Sequence, residues 1–132
     1  MSSKTDAPKS KAPKMSQLPA TYRLGPNDVL CCRGKVALEH EGNRRFRALV
    51  QSHLQAYSTS GCKYQKSKIV SHIVSSVKQA CGPEGGGFVK FIDDAFFEVG
   101  DRFAREKVGQ TVRSIVVVFL FRRLSVVVAL ML

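Results

Sequence analysis

Between Phe46 and Cys81 the large apolar residues recur every three or four positions, and from Phe88 onward they alternate one by one. That change of period requires helices and a strand pair to share one small core. Phe46, Leu49, Val50, Leu54 and Tyr57 make the apolar face of a first helix, expected from an N-cap at Asn43 to about Tyr57. Ile69, Val70, Ile73, Val74, Val77, Ala80 and Cys81 make that of a second, expected over residues 67 to 81 and closed by Gly82-Pro83. After the glycines at 85–87, Phe88 to Ile92 and Phe96 to Val99 flank Asp93-Asp94, which predicts a β-hairpin. Ahead of the helices, Asp28 to Cys32 reads as a short strand ended by Arg33-Gly34. Behind the hairpin, Asp101 is the expected N-cap of a third helix with Ala104, Val108 and Val112 inward.

The expected fold class is therefore α+β: a small β-α-α-β-β-α domain, three helices with a short antiparallel sheet or hairpin. Two helices followed by a hairpin make it winged-helix-like. With 132 residues there is room for one such domain, and its expected bounds are residues 22–114. Residues 1–20 carry Lys4, Lys9, Lys11 and Lys14 among Ser, Pro and Ala with few large apolar groups, and are expected to be a disordered basic arm. Residues 115–132 change character again, with 15 of 18 residues apolar. Arg122 and Arg123 near the middle of that tail, at roughly 2.5–3.5 kcal/mol each on insertion, disfavour a membrane span. Its β-branched halves read as strands or an aggregation-prone end. A domain boundary is expected near Ser114, with the tail foreign to the native domain, as an unspliced intron or frameshift would make it.

Twenty-one Lys and Arg against ten Asp and Glu leave a net charge of +11, a field that attracts polyanions. On the second helix, Lys68, Ser71, His72, Ser75, Lys78 and Gln79 gather opposite the apolar face, with no acid among them. Ammonium and hydroxyl donors on one helix face suit phosphates and base edges, so Lys68, Ser71, Ser75 and Lys78 are the candidate groove-facing residues. Arg33, Lys35, Arg44, Arg45, Arg47 and Lys90 are candidate phosphate clamps. The expected function is a nucleic-acid-binding regulatory module, with DNA ahead of RNA as partner and a nuclear or cytoplasmic location, the nucleus favoured. The alternative is a protein-interaction module whose charges only keep it soluble, with Phe88 or Phe96 or the apolar tail meeting a partner. A solvated helix face has the same composition, so the sequence leaves both open.

An enzyme is not expected. No paired carboxylates and no nucleophile-base pair stand out, Arg33-Gly34-Lys35 is too short for a phosphate-binding loop, and Gly85-Gly86-Gly87 precedes a strand where a helix would be needed. Cys31, Cys32, Cys62 and Cys81 contain no C-x-x-C pair, and Cys31 and Cys32 on a strand point to opposite faces. With no recognised ligand spacing to His40, no metal and no cofactor is expected. His53 lies beside the apolar stripe of its helix, the place for a packed, hydrogen-bonded histidine.

Residues 26–113 resemble the family called domain of unknown function 6824. The residues that carry the resemblance are Asn27-Asp28-Val29-Leu30, Arg33-Gly34, His40, Gly42-Asn43-Arg44-Arg45-Phe46, Tyr57, Lys68-Ile69, Phe88, Glu98-Val99-Gly100-Asp101, Ala104-Arg105-Glu106-Lys107 and Arg113. The sequence departs from the family's pattern at Cys32, Glu41, Gly87 and Phe96-Phe97. The resemblance implies no activity; the family's frequent basic character implies regulatory or nucleic-acid-binding roles.

Overall fold

The computed structural model describes residues 15–32, 34–83 and 86–132. In chain order these form β1 (Met15–Gln17), β2 (Val29–Leu30), α1 (Lys35–Glu39), α2 (Glu41–Ser52), α3 (Leu54–Thr59), α4 (Lys63–Cys81), β3 (Phe88–Ile92), β4 (Ala95–Val99) and α5 (Asp101–Met131). Helices and a small sheet make an α+β fold, as the change of apolar period predicts.

The sheet has four strands in the order β1-β4-β3-β2. Asp93 and Asp94 turn the β3–β4 hairpin with positive φ of 50° and 62°, the left-handed pair that a two-residue hairpin loop requires and that short polar side chains tolerate. β2 runs parallel to β3, Val29 beside Phe88 and Leu30 beside Val89. A parallel pair needs a long crossover, and α1 to α4 supply it. Helices pack on one face of the sheet through Val29, Phe46, Val50, Ile73, Phe88 and Val108, all essentially inaccessible to solvent. Phe46 and Phe88 meet edge to face with ring centroids 5.6 Å apart.

Several expectations need correction. The sheet is mixed, not antiparallel throughout, because β2 joins β3 in parallel. Between Gly34 and the expected N-cap at Asn43 lies α1, and the first long helix starts at Glu41, so Asn43 lies inside α2. That helix is interrupted at His53, whose φ of −101° and ψ of 0° separate α2 from α3. The second long helix begins at Lys63, a turn earlier than expected, and α5 is capped by Gly100 with Asp101 in its first turn. The basic arm was expected to lack structure through residue 20, yet Met15–Gln17 pairs with β4 as an edge strand. The rest of the arm, residues 1–14, lies outside the described residues. With these additional elements the order is no longer β-α-α-β-β-α.

The apolar tail is neither strand nor separate element: it continues α5 to Met131. Ala104, Val108 and Val112 are buried, Ile115 and Val116 lie against the core, and from Val117 to Leu132 every residue is exposed. Helix α5 is long and apolar enough to cross a membrane by length and composition; the mean hydropathy of its most apolar 18-residue stretch is 2.2, none of it buried.

Candidate nucleic-acid interface

Helix α4 is amphipathic, and its buried Val70, Ile73, Val74 and Val77 fix which side faces out. Lys68, Ser71, Ser75 and Lys78 are all exposed on the opposite side. Their spacing of three, four and three residues keeps them in one stripe about 15 Å long at 1.5 Å of rise per residue. The stripe is reinforced from the neighbouring helix. Arg105 of α5 donates from Nη1 to Ser71 Oγ, and from Nη2 to Ser67 Oγ at 2.6 Å and to the Ser67 carbonyl at 3.3 Å. A fixed guanidinium thus joins the two lysines, and Ser71 and Ser67 keep their hydroxyl hydrogens for another acceptor. Lys68 extends over the Tyr64 ring, 5.4 Å from its centroid.

Beside this stripe the α4–α5 junction opens into a cavity of about 680 Å³ lined by Val70, Arg102, Arg105 and Arg113 together with Asp101 and Glu106. Positive charge predominates there, although the two acids temper it. Arg105 is not one of the candidate binding residues expected from the sequence. Only the packing of α5 on α4 turns it toward the serines.

The candidate clamps are scattered. Arg45 is engaged within the fold, with Glu41 Oε2 and Asn27 Oδ1 each at 2.6 Å, and this is the one ion pair among the described residues. Arg47 donates to the Leu38 carbonyl at 2.9 Å, tying α2 to the end of α1. Lys35 and Arg44 are exposed on α1 and α2. Lys90 sits half-buried on β3 with Nζ 5.4 Å from the centre of the Phe103 ring, away from the α4 stripe. Arg33 lies outside the described residues. Of the aromatics expected to meet a partner, Phe88 is fully buried and Phe96 is half-buried against Tyr22, while Phe91 is the exposed ring of the hairpin.

A second polar cluster lies under the amino end of the sheet. Asp28 is 2% exposed, and its carboxylate accepts from the Tyr22 hydroxyl, from Gly25 N–H at 2.8 Å and from Gly87 N–H at 3.1 Å. Burial alone would raise its pKa; hydrogen bonds from Tyr22, Gly25, Cys81 and Gly87 outweigh burial and hold it below the ordinary 3.8. Burial, then the bond to Asp28, raise Tyr22 above its ordinary range. Burial and the same carboxylate push the Cys81 thiol up to about 12. With its lone pairs so occupied, the Asp28 carboxylate ties three segments of chain together. No group of three or more metal-ligating side chains occurs among the described residues.

Residues 28–114 match the family model described as Domain of unknown function (DUF6824), and the chain belongs to that family. No curated protein and no solved structure matches it.

Proposed function

We propose that this chain is a non-catalytic nucleic-acid-binding module acting in regulation, with duplex DNA as its partner ahead of RNA and the nucleus as its place of action. The observation that carries the reading is the acid-free stripe Lys68, Ser71, Ser75 and Lys78 on the outer face of α4, extended by Arg105. The major groove of B-form DNA admits an α-helix, whereas the deep, narrow major groove of A-form RNA excludes one. Phosphate contacts from such a stripe give affinity that falls steeply with salt. No cofactor enters the reading.

The test is a titration of labelled duplex DNA, duplex RNA and single strands at two salt concentrations. Binding is expected to be tightest for duplex DNA, and Lys68→Gln with Lys78→Gln together should lower the slope of log affinity against log salt by about 2. Absence of binding at low salt, or a double variant with unchanged slope, would reject the interface.

A second reading, a protein-interaction module, draws on the exposed apolar residues of α5 beyond Val116 and on Phe91, which is 52% exposed. Capture of a partner that survives nuclease and high salt would favour it over the first.

A further inference from the structure

We infer that a second site, in the cleft between the end of β2 and α5, binds a phosphate monoester group through Lys90 and Lys107. The inference does not depend on the α4 stripe. Alternation along β3 turns Lys90 to the same side as Phe88, the side on which the helices pack. There its ammonium lies over the Phe103 ring of α5. Lys107 follows Phe103 by four residues, so both project from one side of α5. Across from them stand Cys31 and Cys32, and the solvent-open cleft has a volume of about 360 Å³, at the small end of ligand pockets.

Charge selects the ligand. Lys90 and Lys107 are both half-buried, and neither has a carboxylate in ion-pair range among the described residues. Glu106 is the one acid lining the cleft and is itself exposed, so two ammonium groups face one solvated carboxylate. Partly buried cations without a counter-ion carry a desolvation cost that a bound dianion offsets. Burial pushes the Cys31 thiol up to about 11 while Lys107 and Lys90 pull it down, which puts both cations within electrostatic reach of one sulfur. A neutral thiol beside two lysines and the Gln110 amide supplies donors around the volume between them. The same chemistry would hold a small phosphorylated metabolite or the terminal phosphate of a nucleic acid strand.

The test uses the full chain, titrated with inorganic phosphate, with a 5′-phosphorylated oligonucleotide and with its 5′-hydroxyl counterpart, while the alkylation rate of exposed Cys32 is followed against that of Cys62. Millimolar phosphate should slow alkylation of Cys32 and leave Cys62 unchanged. Lys107→Gln should weaken this protection about tenfold, the effect of losing roughly 1.4 kcal/mol of binding; Lys78→Gln on α4 should leave it intact. Stronger protection by the 5′-phosphorylated strand than by the 5′-hydroxyl strand assigns the site to strand ends, and equal protection by free phosphate alone assigns it to a small metabolite. If neither phosphate nor the phosphorylated strand protects Cys32, or if Lys107→Gln protects as well as the parent, the site is overturned. Lys90→Gln, which could disturb the fold, is read only after its thermal melt matches that of the parent.

Discussion

The Asn43 side chain pairs with the backbone of Leu30 as a neighbouring strand would. Its Oδ1 accepts from Leu30 N–H at 2.8 Å and its Nδ2 donates to the Leu30 carbonyl at 3.0 Å, both buried. β2 is the last strand of the sheet, and its other side is bonded to β3 through Val29 N–H to the Gly87 carbonyl and Cys31 N–H to the Val89 carbonyl, each at 2.7 Å. The outward groups of Leu30 therefore have a partner only because α2 presents one carboxamide.

Asn43→Ala should lower stability by about 2–6 kcal/mol, since it orphans two buried backbone groups at about 1–3 kcal/mol each. Urea unfolding monitored by circular dichroism checks it. An unchanged midpoint would mean that water replaces the carboxamide without loss.

Gly42→Ala separates helix propensity from tertiary fit. In an isolated helix the change would stabilise by about 1 kcal/mol. Here a Cβ at position 42 would sit 1.9 Å from the Asp28 carbonyl oxygen and 2.9 Å from His40 Nε2, which itself donates to that carbonyl at 2.8 Å. A loss at or above the upper end of about 1–3 kcal/mol is expected, with a lower melting temperature. A gain would show that α2 docks on β2 less closely than these distances require.

Asp28 gives the fold an acid limb. Its folded pKa lies below the ordinary 3.8, so the stabilisation is present above that pH and is lost as the pH falls through the folded value. Asp28→Asn should cost about 1.5–3 kcal/mol at neutral pH, the worth of a hydrogen bond to a charged group, and should flatten the stability profile below about pH 4. Chemical denaturation across the acid range reads both effects. A variant with the parent's acid limb would assign that limb to other carboxylates.

The thiols should sort by environment. Cys32 and Cys62 are exposed, while Cys31 and Cys81 are pushed from an ordinary 9.0 to about 11 and about 12. At pH 8 the two-unit rise alone leaves Cys31 about a hundredfold less thiolate, so iodoacetamide should label Cys32 and Cys62 first and the other pair only on unfolding. Because these folded values are raised, their contribution to stability is complete below pH 9 and is lost as the pH climbs toward the folded values. Mass spectrometry of the labelled peptides and a melting curve at alkaline pH check the two statements.

Removing residues 117–132 should leave the melting temperature of the remaining chain nearly unchanged, because none of that stretch is buried while Val112, Ile115 and Val116 stay in place. It should also reduce self-association in light scattering, since a large exposed apolar surface is removed. A marked fall in melting temperature would mean that the tail packs on the domain.

The sequence by itself determined the amphipathic helices, the hairpin with its Asp93-Asp94 turn and the acid-free face of α4, because each follows from periodicity or turn chemistry within a few residues. It also carried enough spaced identities to indicate the family. Tertiary structure alone decided that β2 lies parallel to β3, that Asn43 completes a strand edge instead of capping a helix, and that the apolar tail extends α5. It likewise turned Arg105 onto Ser67 and Ser71, engaged Arg45 and Arg47 within the fold, and brought Lys90 beside Lys107. The reason is physical: local pattern reports which side of an element is apolar, but the partner of a polar group is chosen by contacts between residues far apart in the chain, which no single segment encodes.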